Sequence, residues 1–130
     1  MPFLVDTDWI IHLLNGRSDI IAKLQELSVE GVAMSMVSLA ELYDGVYYSR
    51  NPANDEVALR DFVRTVSVLG IDEEVTRIFG RERGRLRRLH KSIGDLDLLI
   101  GATALRHDLT LLTNNRRHFE LIEKLRIISI

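Results

Sequence analysis

The sequence predicts an α/β protein: a parallel β-sheet of four to five strands sandwiched by α-helices. Two observations carry this expectation. Short apolar runs, rich in Val, Ile, Leu and Met, recur at 3–5, 32–37, 66–69, 110–113 and 127–130. The stretches between them place apolar residues at helical spacing, and strands that alternate with helices imply a parallel sheet covered on both faces.

Each element has a local reason. Phe3-Leu4-Val5 is an apolar run that stops at an acid, as a buried parallel strand does. Trp9, Ile10, Ile11, Leu13 and Leu14 follow as a short helix that Asn15-Gly16 ends. Residues 19–27 form a second helix with Ile20, Ile21, Leu24 and Leu27 on one side. The run 32–37 is the second strand, 38–48 the next helix, and Asn51-Pro52 breaks the chain. A helix over 53–64 leads to Val66-Ser67-Val68-Leu69, a third strand closed by Gly70. From Asp72 to about Ser92, Val75, Ile78, Phe79, Leu86 and Leu89 recur at near-helical spacing, while Gly80 and Gly84 speak against a straight helix. Residues 97–107 make the most apolar helix, in which Gly101, Ala102 and Ala104 permit close backbone approach. Two last strands begin at Thr110 and Ile127, and the coarse order is β-α-α-β-α-α-β-α-α-β-α-β. No internal repeat or linker interrupts it, so residues 1–130 are expected to be one domain.

Composition narrows the function. The 130 residues are 46% apolar with two prolines, enough for a folded core. The longest uncharged stretch, 31–40, is about half of the roughly 20 residues that cross a bilayer. Residues 1–10 hold two aspartates and no Lys or Arg, the reverse of a secretory signal. There is no cysteine, which excludes disulfides, zinc–thiolate sites and cysteine nucleophiles. A soluble, cytoplasmic protein with no membrane partner is the expectation. The net charge of −2 hides an asymmetry: Arg77, Arg81, Arg83, Arg85, Arg87, Arg88 and Lys91 crowd fifteen residues that contain one acid, Glu82. Such a stripe suits a phosphate backbone and equally suits a solvated helix face.

Acids stand where strands end, and in open α/β sheets ligands sit at the carboxyl ends of the strands. The first strand delivers Asp6, with Asp8 two residues on; Glu41 lies one turn into the helix after the second; Gly94-Asp95-Leu96-Asp97 opens the apolar helix; the fourth strand delivers Thr113-Asn114-Asn115. Carboxylates gathered in one crevice repel unless a cation lies between them, and hard oxygen donors suit Mg²⁺ or Mn²⁺. Each acid also has a duller use. Asp6 and Asp8 can cap the first helix, Asp95 or Asp97 the apolar one, and Ser38-Leu39-Ala40-Glu41 has the form of a capping box. His12, His90, His107 and His118 show no zinc spacing, Ser35 and Ser38 no serine-hydrolase context, and there is no glycine-rich nucleotide loop.

Four segments together resemble the PIN-domain family, and within it the toxin ribonucleases of VapBC-type toxin–antitoxin pairs. They are Phe3-Leu4-Val5-Asp6-Thr7-Asp8, Ser38-Leu39-Ala40-Glu41-Leu42-Tyr43-Asp44-Gly45, residues 93–104, and residues 109–119 with Thr113-Asn114-Asn115-Arg116-Arg117-His118-Phe119. The resemblance spans nearly the whole chain. It implies a PIN-like sheet and a Mg²⁺- or Mn²⁺-dependent endoribonuclease in which Asp6, Glu41 and Asp97 are the metal-binding acids and Thr7 the small hydroxyl after the first. Thr113 and Asn115 would position water or a phosphate oxygen. Where the family often carries a fourth acid, this chain has Asn115 and His118; Asn115 would hold a metal-bound water and Asp95 would supply the missing charge. The resemblance further implies an RNA substrate, a homodimer and a VapB-type antitoxin seated on apolar surface near Trp9, Leu13, Leu14, Tyr43 and Tyr47. Two other readings stand beside it: a non-cleaving PIN-like module that binds RNA or antitoxin, and a haloacid-dehalogenase-type phosphatase with Asp6 as nucleophile.

Overall fold

The computed structural model describes residues 2–130. In chain order its elements are β1 Phe3–Val5, α1 Thr7–Leu14, α2 Ser18–Ser28, β2 Val32–Ser35, α3 Met36–Tyr47, α4 Pro52–Val63, β3 Ser67–Leu69, α5 Glu73–Arg88, α6 Asp95–Arg106, β4 Thr110–Leu112, α7 Arg116–Phe119 and β5 Ile127–Ile128. The five strands form one sheet, ordered β3-β2-β1-β4-β5, in which every pairing is parallel. The expected α/β sandwich is the observed one.

Strand periodicity divides the core. Successive strand residues face opposite sides of a sheet, so Phe3 and Val5 join Met34 and Leu112 on one face. There they meet Trp9, Ile10, Ile20, Leu24, Leu42 and Leu59 from α1 to α4. Leu4, Ala33 and Leu111 turn to the other face and meet Leu86, Leu98, Ile100 and Phe119 from α5 to α7. Both layers are needed because the strands are apolar on both sides.

The chain runs outward from β1 to β2 to β3, then returns to place β4 on the other flank of β1. The crossovers therefore diverge between β1 and β4, and a crevice opens at the carboxyl ends of these two strands.

Element boundaries moved for identifiable reasons. β2 stops at Ser35 and α3 starts at Met36, because the Ser35 hydroxyl accepts the Ser38 N–H at 3.0 Å and caps the helix. α5 runs unbroken through Gly80 and Gly84, and ends at Arg88 just before His90 adopts φ 56°. Its buried Val75, Ile78, Glu82 and Leu86 line one side, so packing outweighs the two glycines. α6 starts two residues earlier than expected, at Asp95. Among the described residues no helix is long and apolar enough to cross a membrane.

Gly101 is the close approach that the α6 composition foretold. A Cβ there would lie 2.3 Å from Ile122 Cδ1, with Leu125 Cδ2 next at 3.6 Å. Gly101→Ala should therefore destabilise the chain by about 1–2 kcal/mol in denaturant melts, overpacking exceeding the roughly 1 kcal/mol gain in helix propensity. In an Ile122→Val background, which lacks the offending methyl, the same change should become neutral or stabilising. Equal costs in both backgrounds would show that this contact does not set the spacing of α6.

Candidate active site

Asp6 lies at the junction of β1 and α1. Its N–H donates to Leu112 O at 2.9 Å, which extends the β1–β4 ladder by one bond and brings the side chain out at the carboxyl edge. Oδ1 accepts the Thr7 N–H at 2.8 Å, so Asp6 does cap α1. Oδ2 accepts the Thr113 hydroxyl at 2.7 Å, and the carboxylate is left 4% exposed. Thr113 is fully buried, and its oxygen accepts the Asn115 N–H at 3.0 Å. Its hydroxyl is committed to Asp6, so Thr113 orients a carboxylate.

Asp8 enters the same crevice. Its Oδ1 accepts the Trp9 N–H at 2.7 Å and its Oδ2 the Asn114 N–H at 3.0 Å, with Thr113 Oγ1 3.3 Å away. Asn114 is fixed in turn, its Oδ1 accepting from Trp9 Nε1 at 3.1 Å and from the Ile130 N–H at 3.0 Å. Asp8 stands with Asp6 at the strand end, as its sequence position suggests, and its contact with the Trp9 N–H fits the expected place at the start of α1. Its i+2 spacing from Asp6, across one helical turn start, was the available signal.

Glu41 is reached through Thr7, whose hydroxyl donates to Glu41 Oε1 at 2.7 Å. Thr7 has one hydroxyl proton, so its 3.0 Å contact with Ser38 Oγ uses the proton of Ser38. Ser38 Oγ lies 3.2 Å from Ser35 Oγ. Three hydroxyls thus form a one-directional chain that ends on a carboxylate. The capping box does not form: Ser35 is the cap, Ser38 is buried inside α3, and Glu41 turns to Thr7. Thr7 joins two acids, giving its N–H to Asp6 and its O–H to Glu41.

Asp97 sits in the first turn of α6, with Oδ2 3.2 Å from His118 Nδ1. Asn115 Nδ2 lies at the same distance from that nitrogen. Asp95, two residues earlier, does not join them. It pairs with Arg83, whose other nitrogen donates to Ile93 O at 2.8 Å, and it is turned out to solvent. The idea that Asp95 supplies a missing charge is thereby corrected.

The expected apolar surface also needs correction. Trp9 is fully buried in the core, and Tyr43 stacks on Tyr47 with ring centroids 6.2 Å apart. The groove that does open, about 270 Å³, is lined by Ile11, Leu14, Leu42, Val46 and Ala58, with Glu41 and Asp55 among its polar residues. Of the five expected residues, only Leu14 lines it.

Residues 3–125 match the PIN domain. The chain belongs to the PIN-domain family. It is 32% identical over 127 residues to Ribonuclease VapC1 of Haemophilus influenzae strain R2866, covering 96% of this chain and 95% of the relative. It is 36% identical over 124 residues to Ribonuclease VapC19 of Mycobacterium tuberculosis, covering 94% and 95%. Among solved structures it resembles VapBC2 from Rickettsia felis bound to a DNA fragment from its promoter, with TM-score 0.94, 26% identity and coverage of 100% and 99%. DNA-bound VapBC from Salmonella typhimurium aligns with TM-score 0.93, 27% identity and coverage of 99% and 98%. The family replaces the phosphatase reading, and the geometry agrees: both oxygens of Asp6 are engaged by hydrogen-bond donors, a poor state for a nucleophile.

The electrostatics of this PIN domain are unbalanced. Burial pushes the Asp6 pKa up to about 7; the Asp8 and Asp97 charges add to the rise, and the Thr113 and Thr7 hydrogen bonds oppose it. Among the described residues, Asp6, Asp8 and Glu41 make no ion pair with Lys or Arg, and Asp97 meets only His118. Among the described residues no three acidic or histidine side chains are grouped closely enough to hold a metal ion by themselves. They are joined instead through Thr7, Thr113 and Asn115, as hard oxygen donors that lack a positive partner. That donor set fits Mg²⁺ or Mn²⁺.

The shift has a stability consequence. Between about pH 4 and 7 the folded chain keeps a proton on Asp6 that the unfolded chain has lost, and above pH 7 both are ionised. The penalty for burying the charge therefore builds between about pH 4 and 7 and levels off above pH 7 at about 4 kcal/mol. In metal-free buffer, Asp6→Asn should raise the melting temperature at pH 8 and do little at pH 4, and millimolar Mn²⁺ should narrow the gap at pH 8. A melting-temperature difference independent of pH would show that Asp6 is not buried as a charge.

Proposed function

We propose that this PIN domain is a divalent-metal-dependent endoribonuclease and the toxin of a type II toxin–antitoxin pair, homodimeric, cytoplasmic and silenced by a VapB-type antitoxin. The observation that carries the reading is the link of Asp6 to Glu41 through Thr7, with the Asp97 charge acting on the buried Asp6 and no Lys or Arg paired to any of the three among the described residues, in a chain whose relatives are named Ribonuclease VapC.

Asp6, Glu41 and Asp97 would hold Mg²⁺ or Mn²⁺, which when bound lowers the pKa of water and neutralises charge at a phosphodiester. The residues of the chain supply orientation and proton handling. Thr113 fixes Asp6 through Oδ2, and Thr7 fixes Glu41 through Oε1. Glu41 Oε2 is then left to take a proton from an attacking water. Asn115, anchored by its own N–H to Thr113, presents its amide beside Asp97 and His118 and orients water there. The near-complete burial of Asp6 keeps bulk water from this side of the site and strengthens every charge interaction in it.

The structure sorts the basic stripe. Arg77 pairs with Glu73 and Glu74, Arg83 with Asp95, and Arg85 with Glu82 and Glu123. Arg81, Arg87, Arg88 and Lys91 have no ion pair among the described residues, and the last three lie at or just past the end of α5, where the chain turns toward Asp97. RNA would follow these three. The antitoxin would occupy the groove between α1, α3 and α4, beside Glu41, so that binding there also covers the acid.

Purified chain incubated with a mixed cellular RNA pool should cut at discrete positions with Mn²⁺ or Mg²⁺ and not with EDTA. Asp6→Asn and Asp97→Asn should each lower the rate at least 10²-fold. Metal-dependent stabilisation with no cut by the wild type would favour the non-cleaving module. For the stripe, replacing Arg87, Arg88 and Lys91 by Ala in an Asp97→Asn chain should flatten the dependence of log Kd on log salt by about 2 for single-stranded RNA. An unchanged slope would send the RNA path elsewhere.

A further inference from the structure

Four hydroxyl side chains are buried among the described residues, and three of them have a local use. The Ser35 oxygen caps α3, Thr103 donates to Leu99 O of its own helix at 2.8 Å, and Thr113 donates to Asp6. Ser38 has no such use. It is fully buried in the first turn of α3, and among the described residues its oxygen meets only two other hydroxyls, Ser35 at 3.2 Å and Thr7 at 3.0 Å. Alanine would serve the helix better and would bury no polar atom. Counting protons shows what the hydroxyl does. The Glu41 carboxylate only accepts, so the single Thr7 proton goes to Oε1 at 2.7 Å. The contact between Thr7 and Ser38 must then carry the Ser38 proton, and the contact between Ser38 and Ser35 the Ser35 proton. Every hydroxyl in the run points toward Glu41, and bonds in such a run strengthen one another.

We infer that Ser38 is a positioning residue for Glu41: by donating to Thr7 Oγ1 it sets the direction of the Thr7 proton and, through it, the direction of the carboxylate. A threonine hydroxyl is a rotor, and the Thr7 proton could swing away from Glu41 toward the Ser38 oxygen. A donor arriving from Ser38 closes that direction, because proton and incoming donor cannot share it. Oε1 is then held, and Oε2 is left for the crevice. The chain reaches this arrangement by moving the cap. Ser35 satisfies the start of α3, which frees both the Ser38 hydroxyl and the Glu41 carboxylate to turn to Thr7 of α1. Ser38 and Glu41 are neighbours on one helix, yet they are joined through a residue more than thirty positions away, so the packing of α1 on α3 is converted into the orientation of one acid. The inference rests on the nuclease reading only for its effect on rate; the placement of Glu41 belongs to the bare chain.

The test begins with nuclear magnetic resonance of the full chain, free of metal, with isotope-labelled glutamate carboxyls. The Glu41 resonance, identified by its loss in Glu41→Gln, should shift at fixed pH in both Thr7→Val and Ser38→Ala, and the double variant should shift no further than Thr7→Val. Mn²⁺-dependent cleavage of a single-stranded RNA should follow the same pattern. Ser38→Ala should lower kcat about fivefold with KM unchanged, the effect of losing one neutral hydrogen bond, and should cost nothing more in a Thr7→Val background. Ser38→Cys keeps the volume with a weak donor and should move both readouts in the same direction, which serves if the alanine variant does not fold. A Glu41 resonance unmoved by the Ser38 variants, or rate losses of Ser38→Ala and Thr7→Val that multiply, would overturn the assignment. Resonances that behave as expected in a chain that cuts no RNA would support Ser38 in this role and overturn the nuclease reading.

Discussion

Thr113 gives its only hydroxyl proton to Asp6 across the junction of β1 and β4, and that bond holds together the two strands between which the fold reverses direction. At such a reversal neighbouring crossovers leave in opposite senses, so the strand ends are not covered by a helix and a crevice is unavoidable. An apolar crevice would fill or collapse. This one has a polar floor made of Asp6, Asp8, Thr113 and the Asn114 N–H, each partnered by another. The mutual partnering lets a carboxylate sit almost out of water beside two others. The remaining imbalance is tolerated because the two apolar layers on either face of the sheet supply a far larger stabilisation than one buried charge removes.

The same economy divides the cations of α5. A helix with so many arginines would repel itself if all were left in solvent. Arg83 lies over the Phe79 ring with its guanidinium 5.4 Å from the centroid, and reaches the start of α6 through Asp95 and Ile93 O. Arg85 is gripped by the buried Glu82 and donates to Leu121 O, while Glu82 also accepts the Glu123 N–H at 3.3 Å. These two arginines are structural: they weld α5 to the loop before α6 and to the segment after α7. Cations beyond that point have no such partner, and it is these that are available to a phosphate chain. Under the proposed function, the solvated-face reading and the phosphate-tracking reading of the stripe would therefore apply to different residues.

Much of this was legible in the sequence, and the part that was not depended on contacts across the chain. The order of strands and helices followed from apolar runs and helical spacing, which are local. Asp6 stood out because an acid directly after a buried strand has to go to the carboxyl edge. Glu41 was disguised, since Ser38 three residues before it imitates a cap; only the arrival of Thr7 from another segment, 34 positions away, shows where the carboxylate turns. Trp9 was expected near the surface only because the resemblance implies an antitoxin groove there. It is buried because its indole N–H finds Asn114, a partner 105 positions distant. Local pattern alone does not separate Asp95 from Asp97; the resemblance picks Asp97, and in the structure Arg83 claims Asp95 while Asp97 meets His118.

Capping and metal binding are usually weighed as rival explanations of an acid at a helix start, yet in the proposed site the first would prepare the second. Asp6 caps α1 and Asp97 lies in the first turn of α6, so both sit where the peptide dipoles are positive, which lowers the cost of gathering like charges before any ion arrives. The cap also fixes direction without exhausting the donor, because each carboxylate oxygen has two lone pairs and a cap uses one. Asp6 gives one lone pair on Oδ1 to Thr7 and one on Oδ2 to Thr113, Glu41 keeps Oε2 clear, and Asp97 engages only Oδ2. A helix start is thus a rigid, partly compensated mount for a ligand that still has valence to offer. Two such mounts, joined by a Glu41 that Thr7 holds from the second turn of α3, are what suit the crevice to the proposed metal.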